Sequence, residues 1–108
     1  MSTSDRFAGK VAVITGGTTG IGRAIARRFV SDGGKIVIGA RHDTLFEEIT
    51  QELGADNCWC QVCDVTNRAQ VDALVQAAYD KFNGFDVMFG NAGINLFKDF
   101  LNVTEEEH

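Results

Sequence analysis

Thr15-Gly16-Gly17-Thr18-Thr19-Gly20-Ile21-Gly22 is the stretch of this chain whose residue types and spacing best suit chemistry. Glycine permits positive φ in a tight turn. It also lets backbone approach a phosphate and lets a following helix pack closely on the preceding strand. A helix opening here would aim free N–H groups and the positive end of its dipole at an anion. The phosphate loop of ATPases and GTPases, Gly-x4-Gly-Lys-Ser/Thr, is excluded. Counted from Gly17 the chain gives Gly22-Arg23-Ala24, without the lysine or the magnesium-binding hydroxyl. The dinucleotide spacing Gly-x-Gly-x-x-Gly is not met either.

Three other groups of residues invite a chemical reading. Cys58, Cys60 and Cys63 form Cys-x-Cys-x2-Cys. On a strand, residues 58 and 60 share one face and Trp59 takes the other. The only histidines are His42 and His108, so no fourth metal ligand is near and core packing is the better account. Arg23, Arg27 and Arg28 lie off the apolar stripe of their helix and read as a solvated face. Phe82, Phe85, Phe89, Phe97 and Phe100 read as packing.

The elements that must position the glycine turn follow from hydrophobic periodicity. Short apolar runs predict strands over Lys10–Thr15, Lys35–Gly39, Asn57–Val62 and Phe85–Phe89. Between them lie helical stripes. The first is Ile21, Ile25 and Phe29 with Ala26 and Val30, stopped at Gly33-Gly34. The second is Leu45, Ile49 and Leu53, capped by Asp43 or Thr44 with Glu47 three residues after Thr44, and ended by Gly54. The third is Val71, Leu74, Val75, Ala78 and Phe82, opened by Thr66 or Asn67. This β-α-β-α-β-α-β order predicts parallel pairing with right-handed crossovers and helices on both sheet faces. The nearly continuous apolar strands fit a sheet covered on both sides.

Composition sets the outer bounds. With 108 residues, 44% hydrophobic and 23% charged, the chain suits one globular domain over residues 1–108 with a single core. No apolar run approaches the roughly 20 residues of a membrane span or the roughly 7–15 of a secretory segment, so a cytoplasmic protein away from the membrane is expected. Three cysteines without an export signal suggest reduced thiols. The net charge is −5, divided as +2 over residues 1–50 and −7 over residues 51–108. An acidic chain is a poor nucleic-acid binder, whereas a small anion held by the first half is compatible with this division.

The glycine turn, read as Thr-Gly-x3-Gly-Ile-Gly, resembles the short-chain dehydrogenase/reductase family. Asp64-Val65 after the third strand and Gly90-Asn91-Ala92-Gly93 after the fourth match further family positions, and the likeness covers residues 9–108. It implies an α/β, doubly wound Rossmann-type parallel sheet. It also implies an NAD(P)-dependent oxidoreductase moving hydride between nicotinamide and a carbonyl or alcohol carbon of a small molecule. By the same resemblance Gly16, Thr18, Thr19, Gly20 and Ile21 would form the pyrophosphate turn. Asp64 and Val65 would meet the adenine, and Asn91, Ala92 and Gly93 the ribose side. Gly90 stands where the family has asparagine, a departure expected to loosen the strand end.

The end of the second strand chooses between cofactors. The acid that would hold the ribose hydroxyls of NAD is here Ala40, followed by Arg41 and His42. A guanidinium pairs with a 2′-phosphate, which favours NADP(H) over NAD(H). The basic residue some members carry before Gly20 is here Thr19.

Hydride transfer in the family uses an upstream serine and a Tyr-x3-Lys pair. The single tyrosine is Tyr79 and the residue four on is Asn83, so no catalytic residue is assigned and the chain by itself is expected to be inactive. Thr104 to Glu107 reads as a capping box with about one turn of helix behind it. A truncated domain, the cofactor-binding half of a longer and commonly homo-oligomeric enzyme, is therefore expected. The alternative is a non-catalytic nucleotide-binding or interaction module.

Overall fold

A computed structural model describes residues 6–16 and 20–90. Strand β1 (Val11–Thr15) leads to helix α1 (Gly20–Ser31), β2 (Lys35–Ala40), α2 (Phe46–Leu53), β3 (Cys58–Val62), α3 (Arg68–Phe82) and β4 (Val87–Phe89). All pairings are parallel and the strand order is β3-β2-β1-β4. The predicted doubly wound sheet is what forms.

Alternation along the strands builds two cores, one on each face of the sheet, where the chain length predicts one. Ala12 and Ile14 of β1, with Ile36 and Ile38 of β2, face α1 and α2 and meet Ile25, Phe29, Ile49 and Leu53. Val11, Val13 and Val37 face the other way, against Leu74, Ala77 and Ala78 of α3. Each of the Val, Leu, Ile and Phe side chains among them stabilises the fold by about 1.5–3 kcal/mol on burial. Phe7 stacks on Phe29 with ring centroids 4.5 Å apart, closing one end of the first core.

Several expectations are corrected in detail. Ile21 is not on the buried stripe of α1. It is 55% exposed, and the helix buries Gly22, Ile25, Ala26 and Phe29, a face centred away from residue 21. Neither Asp43 nor Thr44 caps α2 by side chain. The helix begins one or two residues later, with Leu45 at its N-cap and the Phe46 N–H donating to the Asp43 carbonyl. Asn67, not Thr66, caps α3, accepting from the Gln70 N–H at 3.2 Å, because the Thr66 hydroxyl is bound to Asp64. Strand β3 is a sheet edge and is not covered on both faces: Trp59 is 37% and Val62 52% exposed. Strand β4 starts at Val87, since the Asp86 carboxylate turns back to accept from the Val11 N–H at 2.8 Å.

Candidate functional site at the carboxyl ends of the strands

Because β2 and β4 flank β1 on opposite sides, the strand order reverses beside β1, and a crevice is expected at the carboxyl ends of β1 and β4. Gly16 and Gly20 sit there. Gly16 follows β1 with φ +75°, and its N–H donates to the Gly39 carbonyl at 2.8 Å, carrying the β1–β2 ladder one residue further. Gly20 opens α1 with φ +59°, and a Cβ built on it would meet nothing within 4 Å among the described residues. Backbone strain thus reserves this position for glycine, and no described side chain fills the space beside it. Ile21, exposed on the first turn, borders the same opening.

The neighbouring strand ends bring two charges together. In register, Ala40 pairs with Val62, and the Cys63 N–H donates to the Ala40 carbonyl at 2.8 Å. The following residues, Arg41 and Asp64, then lie side by side, with Arg41 Nη2 3.8 Å from Asp64 Oδ1. Asp64 is fixed from behind. Its Oδ1 accepts from the Thr66 N–H at 2.9 Å and the Thr66 hydroxyl at 2.7 Å, and its own N–H donates to Gln70 Oε1 at 2.7 Å. The Thr66 hydroxyl, then the Thr66 N–H, hold the Asp64 carboxyl below the usual carboxylate range, and Arg41 adds to this. Val65, exposed, adds apolar surface beside the pair.

At the end of β4, buried Thr15 donates its hydroxyl to the Phe89 carbonyl at 3.3 Å. A Cβ at Gly90 would stand 3.0 Å from that hydroxyl oxygen, so glycine fits the close approach of β4 to β1.

Gly16, Gly20, Ile21, Arg41, Asp64 and Val65 therefore gather at one edge of the sheet. Thr18, Thr19, Asn91, Ala92 and Gly93 lie outside the described residues. Thr66 and Gln70 were missed by the reading of the sequence. Asp64-x-Thr66 does carry the signal of a side chain bonding its own backbone two residues on. Gln70 carries none, because its reach back depends on where α3 begins.

The other candidates find structural roles. Arg23 pairs with Glu48 at 2.7 Å and Glu52 at 2.9 Å, and Arg27 also pairs with Glu52, so these arginines tie α1 to α2. Arg28 pairs with Asp32 one turn on. Cys58 and Cys60 share the face predicted for them, with sulfurs 3.8 Å apart, while Lys81 lies 3.8 Å above the Trp59 ring. Among the described residues no cluster of three or more His, Cys, Asp or Glu could hold a metal ion. Likewise, among them no helix is long and apolar enough to cross a membrane.

Comparison with known proteins decides the family. A family model described as short chain dehydrogenase matches residues 10–108. The chain belongs to the short chain dehydrogenase family. Within it, this member is 41% identical over 99 residues to an uncharacterized oxidoreductase of Mycobacterium bovis, covering 91% of this chain and 40% of that protein. It is 46% identical over 90 residues to momilactone A synthase of Oryza sativa subsp. japonica, covering 83% of this chain and 33% of that one. Among solved structures, a Brucella melitensis 3-ketoacyl-(acyl-carrier-protein) reductase complexed with NADH matches with a TM-score of 0.71 and 39% identity, over 76% of this chain and 33% of that one. A short-chain dehydrogenase/reductase from the same organism matches with a TM-score of 0.73 and 26% identity, over 79% and 36%. This short chain dehydrogenase thus spans about 40% or less of the length of these relatives.

Proposed function

We propose that this chain is the cofactor-binding portion of an oxidoreductase that takes a nicotinamide dinucleotide, with NADP(H) preferred over NAD(H). The observation that carries this reading is Gly20: a left-handed glycine at the first residue of α1, beside the strand-order reversal, with no described residue within 4 Å of where a side chain would stand. Such a helix start presents unpaired N–H groups to a diphosphate, and any Cβ would intrude on it. The NADH-bound reductase that the chain resembles gives independent support for a nicotinamide ligand.

Preference for the phosphorylated form rests on Arg41. Its side chain is 67% exposed at the end of β2, and Ala40 before it places no carboxylate there to repel a phosphate. Thr18 and Thr19 complete the turn, while Asp64 and Val65 take the adenine and Asn91, Ala92 and Gly93 the ribose side. When bound, the dinucleotide supplies or accepts hydride for a carbonyl/alcohol pair on a small molecule. The residues of this chain bind and orient it.

Titration calorimetry with NADPH and NADH tests the assignment. Loss of a charge-assisted contact worth about 1.5–3 kcal/mol corresponds to roughly ten- to a hundred-fold in affinity. Arg41→Ala is expected to weaken NADPH by that factor and NADH by less than about threefold, a smaller change suited to a contact outside the shared diphosphate site. Equal losses for both would remove the 2′-phosphate assignment. Gly20→Val is expected to abolish binding of both, and an unchanged isotherm would refute the role of the turn.

A further inference from the structure

The Arg41–Asp64 contact deepens the cofactor reading and rests on it. Arg41 reaches out on an exposed side chain, while Asp64 is held by three hydrogen bonds to residues at the start of α3. The fixed partner of the pair is thus the carboxylate and the movable one the guanidinium. A guanidinium engaged with a carboxylate cannot present the same N–H groups to a phosphate, and the nearby negative charge offsets part of its field. We propose that Asp64 is a specificity-determining residue acting through Arg41: its anchored carboxylate competes for the guanidinium and limits the preference for a phosphorylated dinucleotide.

The arrangement accounts for why the contact is loose. At 3.8 Å, with side chains 67% and 43% exposed, the pair is weak enough to be exchanged for a doubly charged phosphate, yet close enough to bias the arginine. Thr66 keeps the carboxylate from following Arg41 outward, since both its N–H and its hydroxyl bind Oδ1.

The experiment measures dissociation constants of the 108-residue chain for NADPH and NADH in wild type, Asp64→Asn, Arg41→Ala and the double variant, with thermal melts as a check on folding. Asp64→Asn keeps an acceptor for Thr66 and removes the charge. Freeing the Arg41 guanidinium from one unit charge 3.8 Å away in a water-like medium is worth roughly a fivefold effect, so the NADH-to-NADPH ratio of dissociation constants should rise about fivefold. Added salt should shrink that gain. Any loss of an adenine contact would act on both cofactors and leave the ratio alone. The rise should vanish on the Arg41→Ala background. If it persists there, Asp64 repels the phosphate directly and the proposed route is wrong. If Arg41→Ala lowers the ratio but Asp64→Asn leaves it unchanged, this inference fails and the cofactor assignment stands. If Arg41→Ala leaves the ratio unchanged, or the wild-type chain binds neither dinucleotide, the cofactor assignment falls and takes the inference with it. Should Asp64→Asn fail to fold, Asp64→Ser retains a short acceptor for Thr66 and reads the same ratio.

Discussion

Cys60 illustrates how a side chain acquires reactivity from neighbours that its own strand supplies. The Cys58 S–H lies 3.8 Å away on the same face, and the Thr50 hydroxyl of α2 at the same distance on the other side. Hydrogen bonding from Cys58, helped by Thr50, stabilises the Cys60 thiolate and lowers its pKa to about 7, against the opposing pull of burial. Cys58 moves the other way, its proton held by that same contact and by burial, and burial also raises Cys63. Iodoacetamide followed by peptide mass spectrometry should therefore label Cys60 first. The rate should rise through pH 7 as the thiolate forms, while Cys58 and Cys63 lag at least tenfold, the difference about one pKa unit makes in thiolate fraction. Equal labelling of all three would contradict the assignment. Strand alternation already placed residues 58 and 60 together. It could not place Thr50, which arrives through the packing of α2 on β3.

Short-range side-chain preferences locate a helix start where the chain path leaves the cap free. Asn67 precedes α3 after a turn closed by Asp64 and Thr66, so its side chain can reach the Gln70 N–H. Asn67→Ala should lower unfolding stability by about 1 kcal/mol, measured from the urea midpoint at constant slope. An unchanged midpoint would mean the cap contributes nothing. The same reasoning applied to Asp43 and Thr44 fails because α2 starts only at Phe46, and the Leu45 side chain is drawn to the α1/α2 core. The four strands were all found from apolar runs. Their covering was overestimated at β3, because an edge position in a sheet is decided by topology and leaves no mark on a five-residue segment. Gly16 and Gly20 stand out within a sequence, since tolerance of positive φ is a property of the residue itself. The Arg41–Asp64 contact does not, since it arises only when β2 and β3 pair in register.

Taken as one body, the two-sided sheet keeps the carboxyl ends of its strands and its single tyrosine apart. A crossover helix runs antiparallel to its strands, so Tyr79 near the end of α3 lies toward the opposite edge from Gly20, tilted against Phe85 with centroids 6.3 Å apart. With Asn83 four residues on and no lysine there, this tyrosine is not placed to exchange a proton at the edge proposed for the cofactor. The purified 108-residue chain is accordingly expected to bind dinucleotide without oxidising NADPH in the presence of small aldehydes and ketones. Absorbance loss at the reduced-nicotinamide band that co-elutes with the protein would overturn that expectation. The central place of β1 also bears on biosynthesis. Ala12 pairs with Ile36 on one side and with Val87 on the other. At ribosomal speeds of about 5–20 residues per second, the second neighbour emerges several seconds after the first. A nascent chain must therefore carry one flank of its innermost strand unzipped through that interval, the period in which a chaperone would find it.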